Sequence, residues 1–285
     1  MKIFISKYLL SGNAKTRSRA GALLKLVDGE SFGVADISPI PHLGDAELTT
    51  EGPLFKRAVF LAQQDLAARK SGFSLLQNKP VKNNYLVTDY RSEDLNQPAF
   101  RNQSVKIKAD AGILLQKISI PYHIRLDFNS ALLPSEFSDF LQSLSPQLRS
   151  RIEYIEDPTL FCSEWEQWNK IVPLAFDFQN ADYISSHAEF QIIKPSRQAL
   201  PENLQKCILT SAMDHPVGIA HGLRLAQSFA TVDSGFLTLD LYDENGFQKY
   251  FSQKDNFLNF SDLALADSGI GMTATLNELE WVPLD

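Results

Sequence analysis

The region between residues 84 and 242 contains eight short strand-like runs, and the segments between them are too long for hairpin turns and often helical in character. The runs are Asn84–Tyr90, Ser104–Ala109, His123–Phe128, Arg151–Ile155, Pro173–Phe178, Phe190–Lys194, Lys206–Met213 and Phe236–Tyr242. Such alternation is typical of βα units around a parallel sheet, and eight parallel strands are the number that closes a barrel. The sequence therefore predicts an α/β fold with a barrel domain over residues 84–242.

Two connections in this region are short. The segment between Asp177 and Gln191 is near the lower limit for a crossover that contains a helix. The segment between Tyr90 and Ser104 is also brief, and it contains Pro98. We therefore expect the barrel to lack or shorten a helix at both places.

The chain before the barrel predicts a small α+β unit over residues 1–83. Three runs, Lys2–Leu10, Gly21–Val27 and Phe32–Ile37, are typical of antiparallel strands. From Pro53 the apolar residues follow helical spacing, which predicts a helix that covers these strands. Residues 243–285 have an irregular pattern and are expected to fold back on this unit.

Composition narrows the class of protein. The chain has 27 Lys and Arg against 34 Asp and Glu, a net charge of -7, so it has no overall positive field to hold a nucleic acid. Charges interrupt every apolar run before the roughly 18 residues that a membrane span requires. The N-terminus alternates like a strand rather than a signal peptide, and the two cysteines are far apart. These features predict a soluble, cytoplasmic protein with neither nucleic-acid nor membrane partners.

Charged side chains occur where buried barrel strands should be apolar. Strand alternation sends them to one face, which would be the barrel interior. They are Lys106, Lys108, Arg125, Asp127, Asn129, Glu156, Asp177 and Lys194, with Asn129 as the one uncharged member. The alternative is that the lysines form the solvated face of an antiparallel edge strand and that the acids merely start helices.

Buried charges are tolerated when they compensate one another or bind a metal. The carboxylates of Asp127, Glu156 and Asp177 lie at the ends of successive predicted strands, at the carboxyl-terminal face where barrel active sites lie. Hard oxygen ligands, without thiolate or imidazole, favour Mg²⁺ or Mn²⁺ over zinc. The sequence therefore predicts a divalent-cation site flanked by lysines.

These residues resemble the ordered motifs of the enolase superfamily and, within it, the o-succinylbenzoate synthase family. The matching segments are Lys106-Ile107-Lys108, Arg125-Leu126-Asp127-Phe128-Asn129, Ile155-Glu156-Asp157-Pro158, Ala175-Phe176-Asp177, Ile193-Lys194-Pro195, Lys15-Thr16-Arg17, Ala35-Asp36-Ile37-Ser38-Pro39-Ile40-Pro41 and Thr210-Ser211-Ala212-Met213. The sequence has no His-x-Asp segment, which disfavours the lysine/histidine branch of the superfamily.

The resemblance implies a modified (β/α)7β TIM-type barrel with an α+β capping domain built from the N-terminal region and C-terminal residues. It implies Mg²⁺ on Asp127, Glu156 and Asp177, with Lys108 as the acid/base catalyst and Lys194 as the cation that steadies negative charge. The residues expected to bind or orient the substrate are Lys106, Arg125, Asn129, Lys15, Thr16, Arg17, Thr210 and Ser211.

The implied substrate is a small carboxylate. The implied reaction is the dehydration of 2-succinyl-6-hydroxy-2,4-cyclohexadiene-1-carboxylate to o-succinylbenzoate in menaquinone biosynthesis, through removal of a proton alpha to a carboxylate. Two alternatives stay open at this point. One is an N-succinylamino acid racemase or dipeptide epimerase of the same superfamily, and the other is a non-catalytic barrel that binds a small acid.

Overall fold

The computed structural model describes residues 1–12, 16–41, 44–45, 51–119, 121–177 and 187–284. The chain forms two compact units. The first contains Met1–Asn83, Lys194–Glu202 and Leu209–Asp285, and the second contains Asn84–Ile193 and Asn203–Ile208. The three-part division of the chain into domains, proposed above from the sequence, stays a prediction.

The first unit contains a four-stranded antiparallel sheet. Its strands are β1 (Lys2–Leu10), β2 (Arg19–Asp28), β3 (Ser31–Ile37) and β14 (Val282–Pro283), in the order β14-β1-β2-β3. Helix α1 (Pro53–Lys70) packs its buried residues Ala58, Leu61, Ala62 and Leu66 against β2 and β3. The predicted strands and helix are confirmed, and the C-terminal strand joins this sheet through β1.

Within the described residues, the first unit also contains a smaller sheet and three further α-helices. The sheet consists of β4 (Val81–Lys82), β12 (Phe251–Lys254) and β13 (Phe257–Phe260), in the order β12-β13-β4. The helices are α5 (Pro216–Phe229), α6 (Asp262–Leu265) and α7 (Thr273–Asn277). Among the described residues, no helix is both long enough and apolar enough to cross a membrane.

A parallel sheet of seven strands runs in chain order. Its strands are β5 (Tyr85–Val87), β6 (Ser104–Lys108), β7 (His123–Asp127), β8 (Ile152–Glu156), β9 (Leu174–Phe176), β10 (Phe190–Ile193) and β11 (Cys207–Leu209). Each lies within or beside one of the first seven predicted runs. All parallel strands end at one edge of such a sheet, so the residues at their carboxyl ends form a common row.

Among the described residues, the connections contain fewer helices than one helix after each strand would give. Between β7 and β8 lie α2 (Pro134–Ser143) and α3 (Pro146–Arg149), and between β8 and β9 lies α4 (Trp165–Trp168). The connection from β5 to β6 contains only the 3-10 helix Pro98–Phe100, which confirms that the first barrel helix is vestigial. Most of the connection from Asp177 to Gln191 lies outside the described residues.

The eighth predicted strand, Phe236–Tyr242, is wrong. Its residues Leu239–Leu241 form a 3-10 helix. Parallel bridges occur just before it, where Ser234 pairs with Asn83 and Gly235 with Thr210. These isolated bridges do not extend into a strand, and the next N–H, that of Phe236, donates to the side chain of Asn83 at 2.8 Å.

Candidate active site

Strand register places the predicted site residues of three strands in two rows. Lys106 on β6 pairs with Arg125 on β7, which pairs with Tyr154 on β8. Two residues nearer the carboxyl end of each strand, Lys108 pairs with Asp127, which pairs with Glu156. These residues belong to parallel strands, so the interpretation of β6 as an antiparallel edge strand is wrong.

Two buried carboxylates share the ammonium group of Lys106. Its Nζ lies 2.9 Å from Asp127 Oδ2, and 2.8 and 2.7 Å from the two carboxylate oxygens of Glu156. Burial alone would lower the pKa of Lys106, but the negative charges of Asp127 and Glu156 outweigh burial and raise it. Lys106 is therefore a fixed cation.

Asp127 is paired with a second ammonium group, that of Lys108. Burial would raise the pKa of the Asp127 carboxyl, but Lys106 and Lys108 hold it below its ordinary value. The Lys108 side chain is 36% exposed, against 12% for Lys106. Lys108 is thus the lysine of this pair that a small molecule can reach.

Asn129 orients both members of the Lys108–Asp127 pair. Its side-chain oxygen accepts a hydrogen bond from Lys108 Nζ at 3.2 Å, and its backbone N–H donates to Asp127 Oδ1 at 3.1 Å. The second bond requires the chain to turn directly after β7, and Asn129 has a φ of 48°. Asn tolerates this left-handed backbone better than most residues, which explains its place in the motif.

Arg125 is bound away from the row of carboxylates. Its guanidinium pairs with Glu153, donates to Asn84 Oδ1 at 3.1 Å, and lies 5.1 Å from the Tyr154 ring centre. Glu153 also accepts from the Ser104 hydroxyl at 2.8 Å. This placement fits a group that orients neighbouring strands.

Glu153 reaches Arg125 because the strand register shifts between Ile124 and Arg125. Regular alternation would send the Glu153 side chain to the other face of the sheet. Sequence reasoning therefore missed Glu153, and it also missed Tyr154, whose buried hydroxyl has no hydrogen-bond partner within the described structure. No periodic signal marks such a bulge in a single sequence.

Asp177 follows β9, the strand next to β8. Its backbone N–H donates to Asp157 Oδ1 at 3.4 Å, and the carbonyl of Asp157 accepts from Ser130 N at 2.6 Å. Asp157 therefore connects the loops that follow β7, β8 and β9. Within the described residues, no group of three or more acidic, histidine or cysteine side chains is close enough to hold a metal, so the three predicted ligands are not gathered around one point.

The remaining predicted site residues belong to the first compact unit. Lys194 is 9% exposed, and Thr210 and Ser211 are buried. The Ser211 hydroxyl accepts from Thr238 Oγ1 at 3.0 Å and from the Asp214 N–H at 3.2 Å. Thr16 is half-buried and Arg17 exposed, whereas Lys15 lies outside the described residues.

A buried ionisable cluster in the first unit was not foreseen from the sequence. Asp36 accepts from the Tyr8 hydroxyl at 2.6 Å and from the His215 N–H at 3.0 Å. Burial, and then the charge of Asp214, raise the pKa of Asp36 to about 8, although Arg19 opposes this rise. The motif Ala35–Pro41 indicated that Asp36 is important. The cluster was not predicted, because the residues that contact Asp36 are distant from it in the sequence.

Comparison with known proteins confirms the resemblance and the fold. No protein-family model matches the chain. The o-succinylbenzoate synthase of Bdellovibrio bacteriovorus is 28% identical over 333 aligned residues, covering 100% of this chain and 99% of the relative. A mandelate racemase/muconate lactonizing protein from Herpetosiphon aurantiacus superposes with a TM-score of 0.74 at 14% identity, covering 94% and 96% of the two chains.

The o-succinylbenzoate synthase from Thermosynechococcus elongatus BP-1, solved with Mg in its active site, gives a TM-score of 0.62 at 17% identity, covering 86% of this chain and 95% of that one. The chain therefore has a TIM-type barrel fold with additional antiparallel sheets. It resembles the o-succinylbenzoate synthase of Bdellovibrio bacteriovorus along its whole length.

Proposed function

We propose that this chain, with its enolase-superfamily fold, is a Mg²⁺-dependent o-succinylbenzoate synthase. It would dehydrate 2-succinyl-6-hydroxy-2,4-cyclohexadiene-1-carboxylate to o-succinylbenzoate in menaquinone biosynthesis. The observation that carries this proposal is the partly exposed ammonium group of Lys108, paired with the buried Asp127 at the ends of neighbouring parallel strands. The full-length relative named o-succinylbenzoate synthase supports the choice of substrate.

The carboxylates present are chemically suited to a divalent cation. Asp127 and Glu156 are buried and already share one positive charge, that of Lys106, and carboxylate oxygens are the ligands that Mg²⁺ prefers. We assign Asp127, Glu156 and Asp177 as the residues that would hold it. When bound, the ion supplies positive charge that stabilises negative charge developing on the substrate carboxylate.

Lys108 is the proposed acid/base catalyst. As an uncharged amine it would take the ring proton alpha to the carboxylate and become an ammonium group, and the electron pair of that C–H bond would remain with the substrate. Lys108 would then return the proton to the departing ring hydroxyl, so that the C–O bond breaks, water leaves and the ring becomes aromatic. Asn129 holds the Lys108 amine, whereas Lys106 stays charged and helps to keep the pKa of Asp127 low.

Lys194 is the proposed cation that faces the substrate ring, where a cation–π contact strengthens as the ring becomes aromatic. Arg125 orients strands β6 to β8 and does not contact the substrate in this proposal. The succinyl carboxylate would be bound by Thr16, Arg17 and Thr210. Ser211 supports the loop that follows β11, because its hydroxyl already accepts hydrogen bonds from Thr238 and from the Asp214 N–H.

The direct test is an assay of the purified protein on the cyclohexadiene acid with Mg²⁺, following the loss of its absorbance. Turnover with Mg²⁺, none with EDTA, and none for Lys108→Ala would support the assignment. Arginine keeps the positive charge, so Lys194→Arg should retain dehydration, and this outcome separates the cation role from that of a second base. Alpha-proton exchange on N-succinylamino acids or dipeptides without dehydration would instead identify a racemase or epimerase, and no turnover of any of these substrates would favour the non-catalytic barrel.

A further inference from the structure

Lys194 begins a tight turn, residues Lys194–Gln198, that follows strand β10. The Lys194 carbonyl accepts from the Arg197 N–H at 2.8 Å and from the Gln198 N–H at 3.0 Å. The turn therefore fixes the backbone of Lys194. Any group that holds the turn also restricts the position from which the Lys194 side chain extends.

Arg57 on helix α1 holds this turn at the residue directly after Lys194. Its Nε donates to the Pro195 carbonyl at 2.8 Å. Burial and the nearby Arg224 lower the pKa of Arg57 to about 10, so it remains charged at neutral pH. Proline lacks a backbone N–H, and the carbonyl is the group through which Arg57 fixes the Pro195 backbone.

Asp45 holds the other end of the same turn. Its carboxylate pairs with Arg197 Nη2 at 2.6 Å, and the two side chains are 19% and 9% exposed. Arg197 Nη1 also donates to the Ser38 carbonyl at 2.9 Å. The Arg197 guanidinium is thus clamped between the residue that follows β3 and Asp45.

The middle of the turn is tied to the loop that follows β11. The Ser196 hydroxyl donates to Asp214 Oδ2 at 3.0 Å, and that oxygen also accepts from the Ala212 N–H at 3.1 Å. Three separate chain segments therefore converge on the residues directly after Lys194. Such convergence exceeds what a surface turn needs, because turns normally satisfy their own backbone groups or leave them to water.

We propose that Arg57 and Asp45 are positioning residues that fix the Lys194–Gln198 turn and thereby the direction of the Lys194 ammonium group. This inference rests on the proposed function, which gives Lys194 its role as a cation. A lysine side chain loses rotamer freedom when it is held in one orientation. A fixed backbone reduces the number of orientations that the Lys194 side chain can adopt before the substrate binds.

The test compares Arg57→Met with Lys56→Met, which removes the same charge from an exposed neighbour on the same helix, and adds Asp45→Asn. Misplacing Lys194 should lower kcat about tenfold or more, because the cation acts on the ring as it becomes aromatic, whereas KM should change little. Lys56→Met should match the wild type. Thermal unfolding of each variant identifies any that is unfolded at the assay temperature.

A double-variant comparison separates positioning from general damage. If Arg57 and Asp45 act through Lys194, then in a Lys194→Ala background Arg57→Met and Asp45→Asn should cause little further loss of kcat. A full additional loss, or unchanged kcat in the single variants, would overturn the proposal.

Amine labelling tests the clamp without using activity. Limited acetylation, read by mass spectrometry, should modify Lys194 severalfold faster in Arg57→Met and Asp45→Asn than in wild type and Lys56→Met. Unchanged labelling would count against the clamp. An inactive wild-type protein would instead refute the proposed function, while labelling would still decide whether these residues hold Lys194.

Discussion

At the scale of single residues, Lys106 and Lys108 lie two positions apart on β6 but have different surroundings. Lys106 neutralises two buried carboxylates, whereas Lys108 pairs with Asp127 and is 36% exposed. Removing one partner from a buried ion pair costs about 3–5 kcal/mol, and removing an exposed partner costs about 1 kcal/mol or less. Replacing Lys106 should therefore lower the stability of the fold much more than replacing Lys108.

We predict that Lys108→Met abolishes turnover and leaves the free energy of unfolding nearly unchanged, whereas Lys106→Met lowers that free energy by about 3 kcal/mol in EDTA. Urea denaturation in EDTA, together with the dehydration assay, measures both effects. A Lys106→Met protein as stable as the wild type would show that Asp127 and Glu156 do not depend on Lys106 for compensation.

The buried Asp36 cluster makes a second prediction at this scale. The pKa of Asp36 is raised to about 8, so the folded protein keeps a proton on this carboxyl that the unfolded chain loses near pH 4. Its contribution to stability is complete below pH 4 and is lost as pH rises to 8. Burial lowers the pKa of His215 and His221 to about 3, and both contribute the opposite slope, but only below about pH 6.5.

Between about pH 6.5 and 8, therefore, Asp36 should make the free energy of unfolding fall by roughly 1.6 kcal/mol. Asp36→Asn should flatten this part of the profile, because the amide is uncharged and can still bond to Tyr8 and to the His215 N–H. Denaturant unfolding at several pH values in this window provides the measurement. An identical slope in wild type and Asp36→Asn would show that Asp36 does not hold the proton.

At the scale of elements, Asp65 joins α1 to two other parts of the chain. Its carboxylate is fully buried, accepts from the Val34 N–H at 2.9 Å and the Ile270 N–H at 2.7 Å, and pairs with Arg69 at 3.0 Å. Gly269 is required beside it, since a Cβ there would lie 2.0 Å from Asp65 Oδ1. Glycine at position 269 thus allows its segment to lie directly against Asp65 of helix α1.

We predict that Asp65→Ala lowers the free energy of unfolding by about 3–5 kcal/mol, because it removes the acceptor of two backbone N–H groups and the carboxylate that pairs with the buried Arg69 guanidinium, which keeps its bond to the Gly271 carbonyl. Asp28→Ala is the matched control, since Asp28 pairs with Lys70 on the same helix but both side chains are about half exposed. Its loss should be about 1 kcal/mol or less. Equal losses in the two variants would contradict the structural role given to Asp65.

The elements also show what a single sequence could predict. Strands β1 to β3, helix α1 and the first seven barrel strands follow from apolar periodicity, because each buries one face or both. The eighth strand was predicted wrongly, because the side chain of Asn83, which is distant in the sequence, accepts the hydrogen bond of the Phe236 N–H. The row of Lys108, Asp127 and Glu156 was predictable, since strand ends meet at one edge, whereas Asp45, Arg57 and Glu153 act through partners that no local pattern reveals.

At the scale of the whole molecule, the two compact units carry different parts of the proposed chemistry. The proposed metal ligands Asp127, Glu156 and Asp177 all belong to the unit containing Asn84–Ile193, whereas Lys194 belongs to the other unit. A ligand that binds only the folded state stabilises the part of the protein that holds it. Metal binding should therefore be visible as stability of the second unit, independently of turnover.

Tryptophan fluorescence can report on that unit alone. Trp165 and Trp168 are buried within it, and the third tryptophan, Trp281, belongs to the first unit. In a Trp281→Phe protein, we predict that Mg²⁺ at about 100 times its dissociation constant stabilises the fluorescence-detected transition by about 2.7 kcal/mol relative to EDTA. Asp127→Asn in the same background should remove this shift, whereas Asp28→Ala should preserve it. If Mg²⁺ leaves the transition unchanged in the parent protein, the three carboxylates do not form the proposed site, and the assignment of Lys108 as a base in Mg²⁺-assisted dehydration fails with it.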